Sequence, residues 1–332
     1  MKREEEWHLY ESALILEIDI EKTGAVEVKA EYKSPEEARA TGQSSNMFKS
    51  GTIAGDKLYT CTSTEVLVFD LPEFRISNYV SLPCFNDLHH VVPDADGNLL
   101  VTSTGLEMVV KITPDGSVLH QWNVLGEGLW DKFSPAMDYR KVDSTKPHRS
   151  HPNFTFELDG EIWATRFFQR DAICLTDPKK HIEIGIQAPH DGLVRGDYIY
   201  FTTVDGHIVI VGKRSLRIEE LVDLKAINGE KALLGWCRGL LPVDKNRFWI
   251  GFTRVRKTKF RQNLLWMRNV FRDDMGEKPT HIALYDTSAH ACLQEFDLEP
   301  HGMNVIFSIF PAVNKPAETG SLVAPSAEVQ HQ

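Results

Sequence analysis

The sequence predicts an all-β fold, a six-bladed β-propeller whose sixth blade is closed by strands from both ends of the chain. Three observations carry this prediction. Short apolar strands alternate with tight-turn signals; one layout of strand, turn and strand recurs at intervals of roughly forty residues where no insertion intervenes; and the two ends supply complementary pieces of one further repeat.

The repeats follow in order along the 332 residues. The first, "MFKSGTIAGDKLYTCTSTEVLVFDLPEFRISNYV", turns at Gly55. The second, "LHHVVPDADGNLLVTSTGLEMVVKITPDGSVLHQW", carries DADGN and TPDGS as hairpin signals between alternating strands. The third turns at Gly160 within "HPNFTFELDGEIWATRFFQRDAICLTDPKKHIEI", and the fourth at Gly196 within "PHDGLVRGDYIYFTTVDGHIVIVGKRSLRIEEL". The fifth opens with "CRGLLPVDKNRFWIGFTRVR", turning at Asn246, and resumes after an insertion at "THIALYDTSAHACLQEFDL". For the sixth, "HGMNVIFSIF" supplies an inner strand and "WHLYESALILEIDIEKTGAVEVKAEY" the outer ones, which closes the ring and removes exposed sheet edges. The expected organisation is one domain over residues 1–313, with a polar, mobile tail over 314–332.

Composition narrows the function classes. Hydrophobic residues at 42% and charged residues at 25% are ordinary globular values. A net charge of -10 argues against nucleic acid as partner, because phosphate binding needs a basic face, and favours a small-molecule substrate. No run of apolar residues is long enough for a membrane span, and the charged start has no apolar segment behind it, so a cytoplasmic protein is expected. The five cysteines form no CxxC pair and are expected as reduced thiols.

The chemistry is expected where the inner strands begin. In a propeller the first strand of each blade lines the channel, so corresponding positions converge. On this register the strands open with Ser45-Asn46-Met47, Leu88-His89-His90, His151-Pro152-Asn153, His190-Asp191-Gly192, Cys237-Arg238-Gly239 and His301-Gly302-Met303-Asn304. His89 or His90, with His151, His190 and His301, therefore stand at one level; strand neighbours face opposite sides, and of the adjacent pair His89 is the one expected to face the channel. Neutral imidazoles on rigid strands are ligands for a divalent metal, Fe(II) favoured, with Zn(II), Cu and Ni as relatives. The alternative is that each imidazole bonds a neighbouring carbonyl with no metal. Arg238, at the same level, is placed to clamp a carboxylate or stabilise developing negative charge, or else to pair with Asp191.

This histidine level resembles the carotenoid cleavage oxygenases, whose propeller axis holds iron on four histidines; the resemblance implies His89 or His90, His151, His190 and His301 as the ligands. The six-bladed layout is also similar to the gluconolactonase and strictosidine synthase-like propellers, which implies an oxygen-ligand set of Asn46, Asn153, Asp191 and Asn304 for Ca(II) and hydrolytic chemistry.

Two insertions are expected to shape the rim. Residues 124–150 carry Trp130, Phe133, Met137 and Tyr139; residues 254–279 carry a basic run and apolar residues near helical spacing, Leu264 to Phe271. Glu11 and Arg166 fall in second strands, where they either stand on a solvated rim or reach the channel as supporting residues. Three functions remain open at this point: a metal-dependent oxygenase, isomerase or lyase; a Ca-dependent hydrolase of lactonase type; and a propeller that binds ligand or protein without catalysis.

Overall fold

The computed structural model describes residues 10–21, 24–40, 46–229, 232–255 and 276–313. Ala13–Ile18 (β1) and Val26–Tyr32 (β2) form an antiparallel hairpin. Four antiparallel sheets follow: β3 to β6 (Thr52–Ala54, Lys57–Cys61, Val66–Asp70, Arg75–Val80), β7 to β10 (Leu88–Pro93, Leu99–Ser103, Met108–Ile112, Val118–Asn123), β11 to β14 (Pro152–Leu158, Glu161–Arg166, Asp171–Cys174, His181–Glu183) and β15 to β18 (Leu193–Arg195, Tyr198–Thr202, His207–Gly212, Ile218–Asp223). After the short helix α1 (Leu224–Asn228) comes β19 (Ala232–Leu233), which pairs in parallel with β22 (Gly276–Glu277). The fifth sheet joins β20 (Trp236–Pro242), β21 (Arg247–Thr253), β23 (His281–Asp286) and β24 (Ala291–Asp297).

Each sheet is a meander in chain order, and its burial follows its radius. The middle strands β5 and β8 are buried on both faces because a neighbouring blade packs on each side, whereas the outer strands β6, β10 and β18 are largely exposed. The large aromatic residues Trp163 and Phe201 fill one such space between blades. The hairpins turn where the sequence indicated: Gly55, Gly97, Gly160 and Gly196 adopt φ of 61°, 82°, 80° and 60°, the left-handed region that glycine enters without steric cost. The first strands β3, β7, β11 and β15 adjoin in succession and form the inner wall.

The all-β propeller is as expected, but it has five four-stranded blades, not six. The expected inner strand 301–310 makes no ladder among the described residues. Its first residue, His301, ends a 3-10 turn, Glu299–His301, and the rest runs without a ladder between the first and last blades, held largely through side chains. Ser50 Oγ donates to Phe307 O at 3.1 Å and Gly51 N to Ser308 Oγ at 3.1 Å; on the other side Ile306 N donates to Thr253 Oγ1 at 3.1 Å. Hairpin β1–β2 covers this strip: Ile15, Tyr32 and Phe310 pack on Leu58 and Phe69 of the first blade, and Ile18 and Met303 on Trp249 and Ile282 of the last. Apolar sequence there satisfies packing without a strand to pair with, which is why it reads like a strand.

No helix among the described residues is long and apolar enough to cross a membrane. All five cysteines are free. The expected tail, 314–332, and most of the second insertion, 256–275 with its Leu264 to Phe271 stretch, lie outside the described residues.

Candidate metal centre

The inner strands bring three of the expected histidines together. The rings of His89 and His151 lie 4.9 Å apart edge to face, and those of His89 and His190 6.3 Å apart. His151 immediately precedes β11, His89 is in β7, and His190 precedes β15, so each enters from a different blade.

A fourth histidine comes from the first insertion. His148 Nδ1 lies 2.8 Å from His151 Nδ1, and the carboxylate of Asp87 joins them, so that three atoms able to ligate a metal fall within 4.8 Å of one another. The tautomer of His148 follows from its partners. Asn86 Nδ2 donates to Tyr139 O and Val142 O, both at 2.8 Å, which turns its Oδ1 toward Thr145. Thr145 Oγ1 then faces two acceptors, that oxygen and Gly105 O at 2.5 Å, so its single proton is spent and it accepts from His148 Nε2 at 3.2 Å. The Nδ1 lone pair of His148 is left directed at the site, an arrangement in which an outer partner fixes the ligand ring. His89 is fixed likewise: its Nδ1 donates to Asp87 O at 2.8 Å, leaving Nε2 as the acceptor.

Backbone conformation marks the same place. Among the described residues, non-glycine residues with positive φ fall in hairpin connections except for Asp87 at 47° and His151 at 59°, each directly ahead of an inner strand. Such conformations cost about 1 kcal/mol or more for residues with a Cβ. Surrounding contacts hold both. Glu107, buried in the turn between β8 and β9, accepts backbone N–H bonds from Arg149 and from Ser150 at 2.7 Å, and thereby fastens the loop that carries His148 and His151.

The charges are arranged to keep the imidazoles neutral and the carboxylate ionised. Burial pushes His151 down to about 3 and lowers His89, His148 and His190 as well. Burial, the largest single influence, would raise Asp87, but the Lys49 ammonium 3.2 Å away together with His89, His151 and Lys146 outweighs it and holds the carboxyl well below its usual range. His190 Nδ1, Asn153 Oδ1 and Ser150 Oγ are buried without a hydrogen bond, and His190 Nδ1 is 3.9 Å from Asp191 Oδ1, beyond hydrogen-bond reach.

Other expected residues serve elsewhere. His90 faces away from the trio and staples three blades: it stacks on Phe154 at 3.5 Å, its Nε2 meets Thr52 Oγ1 at 3.1 Å, and its Nδ1 accepts from Thr155 N at 3.3 Å. His301 is exposed, and among the described residues no ring contact joins it to the other histidines. Of the oxygen set, Asn46 spends its amide on Tyr10 O, Glu11 O and Ser34 N, and Asp191 Oδ2 accepts from Thr202 Oγ1 and Gly239 N. Asn153 donates to Pro189 O at 3.0 Å and Asn304 to Gly302 O at 3.1 Å. Arg166 pairs with Asp171 and donates to Val124 O at 3.0 Å, a brace for the first insertion. That insertion is docked, with Trp130, Phe133 and Tyr139 packed on the second blade and Met137 exposed. Sequence reasoning missed Asp87 and His148, although the H-x-x-H spacing of His148 and His151 was a signal for the latter.

The fold and site thus define a β-propeller with a possible His/Asp metal site at the end of its channel. No protein-family model matches the chain, and comparison with curated proteins gives no match. Among solved structures, a protein of unknown function from Bacteroides caccae superposes with a TM-score of 0.56 at 14% identity, covering 87% of this chain and 95% of that one. Virginiamycin B lyase from Staphylococcus aureus gives a TM-score of 0.44 at 15% identity over 75% of this chain and 69% of its own, and its catalytically inactive variant with quinupristin gives 0.44 at 16%. At these identities the likeness bears on the fold alone.

Proposed function

We propose that the chain is a metal-dependent enzyme acting on a small organic substrate, with a divalent ion held by Asp87, His148 and His151. The observation that supports this is the 2.8 Å approach of two imidazole nitrogens beside the Asp87 carboxylate. Two ligands about 2.0–2.1 Å from one ion at a right angle stand about 2.9 Å apart, so the spacing fits an ion with cis ligands. Two histidines and one carboxylate suit Fe(II) and related transition metals with positions left open for substrate. Ca(II), which takes six or more oxygens, fits less well, since Asn46 and Asp191 spend their polar groups on protein partners. An ion so placed would supply Lewis-acid activation of a bound substrate, which suits isomerase or lyase chemistry, and Fe(II) would add the redox chemistry that an oxygenase needs.

The chain's own part is to keep the site poised. Thr145 and Asp87 O orient the rings of His148 and His89, Lys49 pairs with the Asp87 carboxylate and favours its charged form, and His190 lines the space beside His89. The test is metal content by plasma emission after anaerobic reconstitution with Fe(II), Zn(II) and Ni(II). Wild-type protein is expected to retain about one equivalent, His148→Ala and His151→Ala far less, and His281→Ala, in the fifth blade, as much as wild type. Wild-type protein that retains none of the three metals refutes the reading.

A further inference from the structure

We infer that Arg238 and the ring of Phe307 form a subsite for a carboxylate group of the substrate, beside the metal trio. This deepens the reading above by naming the substrate class, and it depends on that reading only for the chemistry that follows binding.

Arg238 is aimed by a defect in its strand. The pairing of β20 with β21 slips between Cys237 and Leu240, and Gly239 at φ 80° brings the backbone against Phe307, where a Cβ would stand 3.3 Å from its carbonyl. Bulges of this kind re-aim a side chain next to a site. The guanidinium carbon lies 4.4 Å from the Phe307 ring centroid and 5.9 Å from that of Trp236. A ring face binds the cation but satisfies none of its N–H donors. Among the described residues Arg238 makes no hydrogen bond or ion pair, although burial disfavours its charge enough to bring it down to about 10 against the pull of Tyr10, Asp191 and Asp87.

The same ring connects this cation to the metal trio. Lys49 Nζ lies 4.8 Å from the Phe307 centroid, and the His89 and His190 rings lie 6.1 and 6.0 Å away. Asp87 is paired with Lys49, and Asp191 Oδ2 accepts from Thr202 and Gly239, and no hydrogen bond or ion pair joins either carboxylate to Arg238. Lys49 and Arg238 balance Asp87 and Asp191 in charge. A divalent ion on the trio leaves the pocket cationic, and a substrate carboxylate on Arg238 offsets that excess, so metal and anion favour each other's binding. The planar fork of the guanidinium matches the two oxygens of a carboxylate, with an apolar body lying along Phe307.

Benzoate, which does not chelate metal, is the probe, with benzamide and phenyl phosphate beside it, all titrated calorimetrically into the full chain. Benzoate is expected to bind about tenfold or more tightly than benzamide, and about tenfold or more weakly to Arg238→Gln than to wild type, with the metal content of the variant unchanged. Equal binding of benzoate and benzamide overturns the subsite, as does an Arg238→Gln protein that binds benzoate like wild type, or a preference for phenyl phosphate over benzoate. Should Arg238→Gln fail to fold, the three-ligand comparison on wild-type protein decides alone. Wild-type protein that binds benzoate but holds no metal leaves the subsite standing and removes the metal reading, so the two failures are distinguishable.

Discussion

Glu107 touches no expected ligand atom, yet removing its carboxylate is predicted to weaken the metal centre more than removing His190. One oxygen receives the backbone N–H groups of Arg149 and Ser150, and the residue is buried. Hydrogen bonds to a charged acceptor contribute about 1.5–3 kcal/mol each, and a buried N–H left without a partner costs about 1–3 kcal/mol. Ser150 is fully buried, so water does not replace the lost acceptor there. Lys132, 3.8 Å from the second oxygen and partly exposed, adds little. Glu107→Ala is therefore expected to lower the unfolding free energy by ~3–5 kcal/mol in urea titrations. Because His148 and His151 ride on this loop, metal affinity should also fall by about 10–100-fold. Glu107→Gln, which keeps an acceptor oxygen but no charge, should lose about 1 kcal/mol and most of neither property. A Glu107→Ala protein with unchanged urea midpoint and metal affinity would refute the account of how the loop is held.

Three further outcomes follow from the same structure. His90 is held neutral down to about 3 from an ordinary 6.5, chiefly by burial, with His190 the titratable group facing it. Above 6.5 it is neutral both folded and unfolded, so its contribution is full; as pH falls toward 3 the unfolded chain takes up a proton that the native state refuses, and about 2 kcal/mol is lost by about pH 5. Urea titrations of wild type and His90→Leu across this range should differ in slope, and parallel slopes would contradict it. Tyr32→Phe removes a 2.6 Å hydrogen bond to the fully buried carboxylate of Glu65 and should cost about 1.5–3 kcal/mol by thermal or urea melts; no loss would show that the hairpin is not clasped there. Deletion of residues 1–32 uncovers the strip between the first and last blades and should abolish the cooperative melt, while a truncated chain that melts as wild type does would show that the hairpin is dispensable.

How much of this was legible in the sequence varied with the kind of signal. Repeats with a fixed internal rhythm were readable because each hairpin needs a residue that enters the left-handed region, and Gly55, Gly97, Gly160 and Gly196 supply it. The convergence of His89, His151 and His190 followed from the repeat register alone. The sixth blade did not follow, because "HGMNVIFSIF" has the apolar content of a strand while side chains stand in for a ladder: Ser50 and Thr253 bond its backbone at Phe307 and Ile306, and its own Ser308 Oγ accepts from Gly51 N. Which face His90 presents was set by a ring stack on Phe154 and a bond from the next blade, contacts with no local sequence mark. Asp87 and His148 lie outside the repeat, one ahead of a strand and one in an insertion, so only tertiary packing brings them to His151.

Phe307 comes last in the order of synthesis, and that ordering separates the two halves of the site in time. Asp87, His148, His151 and His190 all belong to blades that are complete before the fifth sheet is made, whereas the floor under Arg238 arrives only when the strip after the fifth sheet slots between Ser50 and Thr253. A ribosome-bound chain stalled short of this strip carries the proposed metal trio and Arg238 without the ring on which the guanidinium rests. On the proposed reading, metal loading precedes completion of the carboxylate subsite, and a stop codon placed at Asn304 is expected to separate the two: such a chain takes up metal and binds benzoate more weakly than the full chain.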